Sequence, residues 1–304
     1  MTTLSTAVRN LSNTQLRELS TGDIFELSDS QIQKIATKQY KIFSDTQISS
    51  FNPESINALR VSLLSKNQIG TLTFEQVINL NDRQISGISD RSIDTIKTNS
   101  LSNLSTSQFN SLKISQFKQL SLVQVKALNL EHLKIINRKK LAALDPKKFS
   151  KLTTEQINII STNSSSGFTT NHLKELGKSQ ISSISTEIFS QFSNKQINSI
   201  KSSNISEGFT TEQVNSLRFK IFTSLSTNQI ANLNTDHISS ITTKNFEGMS
   251  KNQIAVLSTL QITSLRTDQI RNFSKNQIQA FKTNTISAMH KDHFAEIRGT
   301  QLKK

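Results

Sequence analysis

The chain has 304 residues and a formal net charge of +14, with 36 Lys and Arg against 22 Asp and Glu and a pI near 10.0. The absence of Cys excludes disulfides and thiolate metal sites, while the positive balance admits nucleic acid, anionic lipid or an acidic protein as partner without bearing on fold. Apolar residues make up only 34% of the chain; a composition this polar accompanies disorder when those residues are unpatterned, and here they are placed to the residue.

The opening stretch, MTTLSTAVRN, shows no basic region followed by an apolar run, so no cleavable signal is expected. No segment approaches the roughly 18 apolar residues that a spanning helix requires. From Leu11 an apolar residue returns every eight positions to Leu59, and a step of five then leads to Leu64. Eights resume to Ile200, a step of nine reaches Phe209, and eights run on to Ile297. A second apolar series lies five residues after the first. Of the 37 octads, only the one containing Ser165, in STNSSSGF, has a polar residue in the second series. The whole chain reads as a single repeat array over 1–304, with phase breaks at 59–64 and 200–209. The breaks are expected to form a bend and a bulge, and STNSSSGF a frayed turn.

Eight residues advance a continuous α-helix by about 800°, so the apolar stripe would drift about 80° per octad. One long helix is therefore excluded. Spacings of five and three place strand residues on opposite faces, against the alternation of a half-buried sheet. The consensus L-[ST]-x-x-Q-I-x-x offers a third solution. A Ser or Thr followed three residues later by Gln is a capping box, and the apolar residues that bracket it form a hydrophobic staple. In LSTNQIAN, Leu225 precedes the cap, Ser226 is the cap, and Gln229 and Ile230 are the third and fourth helical residues; Leu233, Asn234, His237 and Ile238 repeat the arrangement. Each octad restarts a helix after about a turn and a half. Helices so short do not stand alone, so stability must come from neighbour interfaces along an array.

Hydroxyl-rich caps such as Thr210, Ser226, Thr242, Ser258 and Ser274 alternate with Arg218, Asn234, Ser250, Arg266, Lys282 and Arg298. The alternation predicts an all-α solenoid of very short stacked helices, one per octad, with two repeats (16 residues) per structural unit.

Segments such as LSTNQIAN, LTTEQINI and MSKNQIAV resemble the L-T-T-x-Q-[IV]-x-x octads repeated in tandem in large bacterial surface-associated or secreted, adhesin-like proteins. The resemblance covers almost the full chain. It implies a non-catalytic extended array with an extracellular or host-facing role.

No nucleotide-binding glycine motif, zincin motif or recurring Ser/His/Asp grouping is present, so neither an enzyme nor a cofactor is expected. His132, His172, His237 and His293 occupy the slot usually held by Gln and read as polar capping partners. The basic residues carry the functional expectation. Arg138, Lys139, Lys140, Lys147, Lys148 and Lys151 cluster in NRKKLAALDPKKFSK, and a 16-residue unit would align Arg218, Arg266, Lys282 and Arg298 along one edge. These ten residues are the candidate contacts for an anionic macromolecule. The expected function is a repeat scaffold presenting a polar, basic surface to a protein or other macromolecule; the alternative is nucleic-acid binding along that edge. End-to-end self-association is a further expectation.

Overall fold

The computed structural model describes residues 8–302. Among them, thirty-two α-helices of four to six residues and seven 3-10 segments follow one another without a strand. The fold is an all-α solenoid of short stacked helices, one helical segment for nearly every octad. The chain divides into two compact units, Met1–Leu152 and Thr153–Lys304, built by the same rules.

The octad from Leu120 to Ala127 shows why each helix is short. Leu120 and Ser121 are both in extended conformations (φ −50°, ψ 132° and φ −69°, ψ 165°). Two consecutive extended residues turn the corner, and no described residue takes a positive φ, so corners need no left-handed glycine. Ser121 Oγ then accepts the Gln124 N–H at 3.2 Å while Gln124 Oε1 accepts the Ser121 N–H at 2.8 Å, closing the capping box. Leu120 and Val125 are both buried. Helix Leu122–Lys126 ends as Leu128 turns inward and Asn129 begins the next cap.

Stacking follows a period that the caps do not reveal. In the first unit, Thr21–Phe25 packs on Asp45–Ser49, Asp82–Gly87 on Thr106–Ser111, and Ile114–Gln119 on Arg138–Ala143. In the second, Thr170–Glu175 packs on Asn194–Ser199, Thr227–Ala231 on Lys251–Ala255, and Thr267–Arg271 on Lys291–Glu296. Every pair is three octads apart. Three octads therefore complete one turn of the coil, and each unit has three faces. This corrects the 16-residue pairing expected from the caps: the alternation of cap residues is real in the sequence but is not the stacking period, because interior packing, not cap chemistry, decides which helices meet. The apolar series fill the interior of each coil, with edge-to-face rings at Phe109–Phe117 (5.3 Å) in one unit and Phe189–Phe209 (5.0 Å) in the other.

The turn is held by the Gln that most octads carry at the fifth position. Gln124 Nε2 donates to the carbonyls of Ile93 at 2.9 Å and Ile96 at 2.8 Å, which lie 31 and 28 residues earlier. Gln261 repeats this with Ile230 (3.0 Å) and Leu233 (2.6 Å). Each buried amide thus satisfies its acceptor within its own octad and its two donors on the preceding turn.

The phase breaks become changes of register in this spine. After the five-residue step at Leu59, Gln68, Gln76 and Gln84 reach carbonyls 28 and 25 residues back. After the nine-residue step at Ile200, Gln213 and Gln229 reach back 32 and 29. By Gln108 and His237 the separation of 28 has returned. A break is carried through one turn of three octads and then leaves no trace. The expected bend and bulge are short 3-10 segments, Val61–Leu63 and Ser202–Asn204. The segment expected to fray is the 3-10 turn Thr162–Gly167, with Ser164 and Gly167 buried. Of the four serines that replace the octad Gln, Ser55, Ser92 and Ser164 lie in 3-10 segments and Ser100 lies in the α-helix Thr98–Ser102.

Replacing Gln124 by Leu strands the Ser121 N–H and the Ile96 carbonyl, while the Ile93 carbonyl keeps the Ile96 N–H, a loss of about 2–6 kcal/mol at roughly 1–3 kcal/mol per unpaired buried group. Gln124→Glu should cost more at neutral pH, because a carboxylate then faces carbonyls, and Gln124→His least. Urea unfolding followed by far-UV circular dichroism checks the order.

Candidate functional site

The fifth octad position is the most constrained polar site of the fold. Gln76, Gln116, Gln124, Gln253 and Gln269 are all buried. Its chemistry requires an acceptor toward the cap and a donor toward the preceding turn. Neutral histidine meets both needs: His237 Nδ1 accepts the Asn234 N–H at 3.2 Å while Nε2 lies 3.0 Å from the Phe209 carbonyl. That pairing assigns the Nε2–H tautomer. His132 Nε2 is 2.8 Å from the Leu104 carbonyl, and its ring stacks on Phe109 with centroids 4.2 Å apart. His172 Nδ1 accepts the Thr169 N–H, and His293 Nε2 is 2.9 Å from the Leu265 carbonyl. His172 and His237 are therefore capping partners, as expected, and His237 adds an inter-turn bond that the capping box alone does not imply; His132 and His293 keep the inter-turn bond but do not cap, their buried Nδ1 atoms having no partner. Burial lowers the pKa of His132 and of His237, outweighing in His237 the opposing effects of the Phe209 carbonyl and Asp236.

Two of the ten candidate cations share this slot. Lys140 is only 4% exposed, and its Nζ donates to the carbonyls of Phe109 (3.0 Å) and Asn110 (2.7 Å), above the rings of Phe109 and Phe117. Burial pushes its pKa down to about 8. Lys148 Nζ donates to the Leu120 carbonyl at 2.7 Å. Both ammonium groups stand in for a Gln amide, so neither is a surface contact for an anion. The expectation for these two is corrected because their fifth-position side chains reach back to carbonyls of the preceding turn.

The other four of the cluster, Arg138, Lys139, Lys147 and Lys151, are exposed. Arg138 and Lys139 lie on one face of the first unit, Lys147 and Lys151 on the next. In the second unit Arg218, Arg266, Lys282 and Arg298 are also exposed, but the three-octad turn divides them. Arg218 and Arg266, 48 residues apart, share a face with Thr242 between them; Lys282 and Arg298 fall on the other two faces. The single edge expected from a 16-residue unit does not form. Arg266 is engaged within its own chain, with Nε 3.0 Å from Asp268 Oδ1 and a guanidinium hydrogen bond to the Ser239 carbonyl. A groove of about 560 Å³ in the second unit is bordered by Glu155, Asn158, Ser182, Thr210 and Glu212. None of the candidate cations lines it.

No family model matches the chain, and no curated protein matches it. Among solved structures, the leucine-rich repeat-containing protein LegL7 from Legionella pneumophila is similar over 94% of this chain and 90% of that chain, at 11% identity and a TM-score of 0.21. A likeness at that level carries no argument about function. No described helix is long and apolar enough to cross a membrane.

Two measurements check the slot. An unfolded imidazole titrates near 6.5, and the folded His132 and His237 titrate lower. The folded state thus binds fewer protons in that window, and stability is full above about pH 6.5 and falls as pH drops toward the folded pKa values. His132→Gln with His237→Gln should flatten the decline in a melting-temperature series between about pH 7 and 5. For Lys140 the folded pKa of about 8 lies below the unfolded value of 10.5, so the charged form is penalised at neutral pH. Lys140→Gln should raise the melting temperature by several degrees at pH 7, and the gain should shrink as pH rises above about 8.

Proposed function

We propose that this protein is a non-catalytic repeat scaffold whose outward octad positions present a basic surface to an anionic macromolecular partner. The observation that supports this most directly is the division of labour within the octad. Positions one, five and six are consumed by the interior, whereas outward side chains such as Arg138, Lys139 and Lys147 are free of any role in the coil. The octad resemblance to adhesin-like arrays supports the same reading of an interaction surface without an active site. The four exposed cations of the 138–151 cluster, on adjoining faces of one unit, are the favoured contact. Phosphate and carboxylate partners both fit their charge, and the salt dependence of binding separates steering from specific contact.

The test titrates the full chain with a fluorescent polyglutamate peptide and, separately, with a duplex oligonucleotide, over a range of salt. Tight low-salt binding that weakens steeply with salt, and is reduced severalfold by Arg138→Ala, Lys139→Ala, Lys147→Ala and Lys151→Ala together, supports the proposal. A clear preference for the duplex selects the nucleic-acid alternative. Failure of both probes to bind at low salt removes the anionic-partner reading.

A further inference from the structure

In the unit Thr153–Lys304 three turns place a different chemistry at the fourth octad position of each face, after which Leu260 and Asn284 follow the acids and Asp268 and Asp292 follow the lysines. Glu187, Glu212 and Asp236 succeed one another at one-turn intervals, the helices Thr186–Ser190, Thr211–Ser216 and Thr235–Ser240 stacking in that order. Lys195, Lys220 and Lys244 follow each acid by one octad and so form a parallel row on the next face. Asn228, Asn252 and Asn276 occupy the third face. The nine-residue octad at Ile200 lengthens the first step of both charged rows equally, so the rows stay in register. All six charged side chains are exposed. None of them forms an ion pair among the described residues.

A row of three like charges, set about 8–10 Å apart by helix packing, repels itself unless something neutralises it. The acidic row is the unexpected member in a chain of net charge +14. It is of no use to a polyanion lying on the lysines, which it would repel. Both rows belong to one coil and share its pitch, so the surface that matches both at once is another copy of the same coil.

We propose that a second copy of this chain docks against these two rows, side by side and parallel. A two-fold axis parallel to the coil axis places each acidic row opposite the partner's lysine row, so both rows of both copies are neutralised in one isologous contact. Turning one copy end for end places acid on acid and lysine on lysine, so the charges also fix the direction. The small seventh-position residues Ser190 and Ser239 beside two of the acids leave room for the two surfaces to approach. Because the pairs are exposed, the contact is weak and is screened once the Debye length falls to a few ångströms. This contact lies in the second unit, apart from the 138–151 cluster, and does not depend on that cluster's binding an anion.

Sedimentation equilibrium of the full chain at about 0.1 mM tests it, with salt raised from about 0.05 M to about 0.5 M to shorten the screening length. The expected result is a dimer at low salt that dissociates at high salt. The variant K195E/K220E/K244E and the variant E187K/E212K/D236K should each be monomeric alone, and an equimolar mixture should restore the dimer. Unchanged circular dichroism verifies that both variants fold. A wild-type monomer at low salt overturns the proposal, as does a mixture that stays monomeric or a lysine-row variant that dimerises like the wild type. Low-salt binding of duplex oligonucleotide to the lysine row of a monomeric wild type would also overturn it, in favour of a polyanion site.

Discussion

One side-chain amide holds this fold together. A carboxamide at the fifth octad position must accept from its own cap and donate twice to the preceding turn. Gln is the side chain whose length and mixed donor–acceptor character meet all three demands. At Gln124 the three bonds measure 2.8, 2.9 and 2.8 Å. Buried polar groups are costly when unpaired, so a satisfied amide recurring along the coil fixes its register more strictly than apolar packing, which tolerates sliding, does alone. The core can then be thin: two apolar residues per octad suffice because the polar spine sets where each turn sits.

The polar substitutions in the slot follow from the same requirement, whereas Ile188 and Ile221, buried there, supply neither bond. His237 reproduces both halves of the amide. Lys140 keeps only the donor half and carries a desolvated charge. Ser100 is too short for either, and its buried hydroxyl has no partner. Glu never appears there, although a capping box accepts Glu as readily as Gln. The single carboxylate in the slot, Asp23, only caps Ser20.

Much of this fold is legible in the sequence because caps and staples are local. Ser121, Gln124 and the leucines around them announce a helix start within one octad, and the structure places the box there. The number of octads per turn is not local. It is fixed by bonds from Gln Nε2 to backbone carbonyls 28 and 31 residues away, and a carbonyl has no residue identity to read. The misplacement of Lys140 and Lys148 has the same origin: a cluster of cations reads as surface until the inward direction of the fifth position is known. Two signals were available. The exclusion of Glu from the slot pointed to a donor role, and the recurrence of like charge at Glu187, Glu212 and Asp236, and at Lys195, Lys220 and Lys244, marked a turn of three octads, not two.

The outward face is governed by different rules from the spine, which leaves positions such as three and four open to carry charge, amide or hydroxyl without touching the coil. Side-chain amide hydrogen exchange, resolved residue by residue by NMR, tests the spine most directly. Gln76, Gln124 and Gln261 Nε2 protons should exchange orders of magnitude more slowly than those of the exposed Gln15. Exchange of all four amides at one common fast rate would contradict the account.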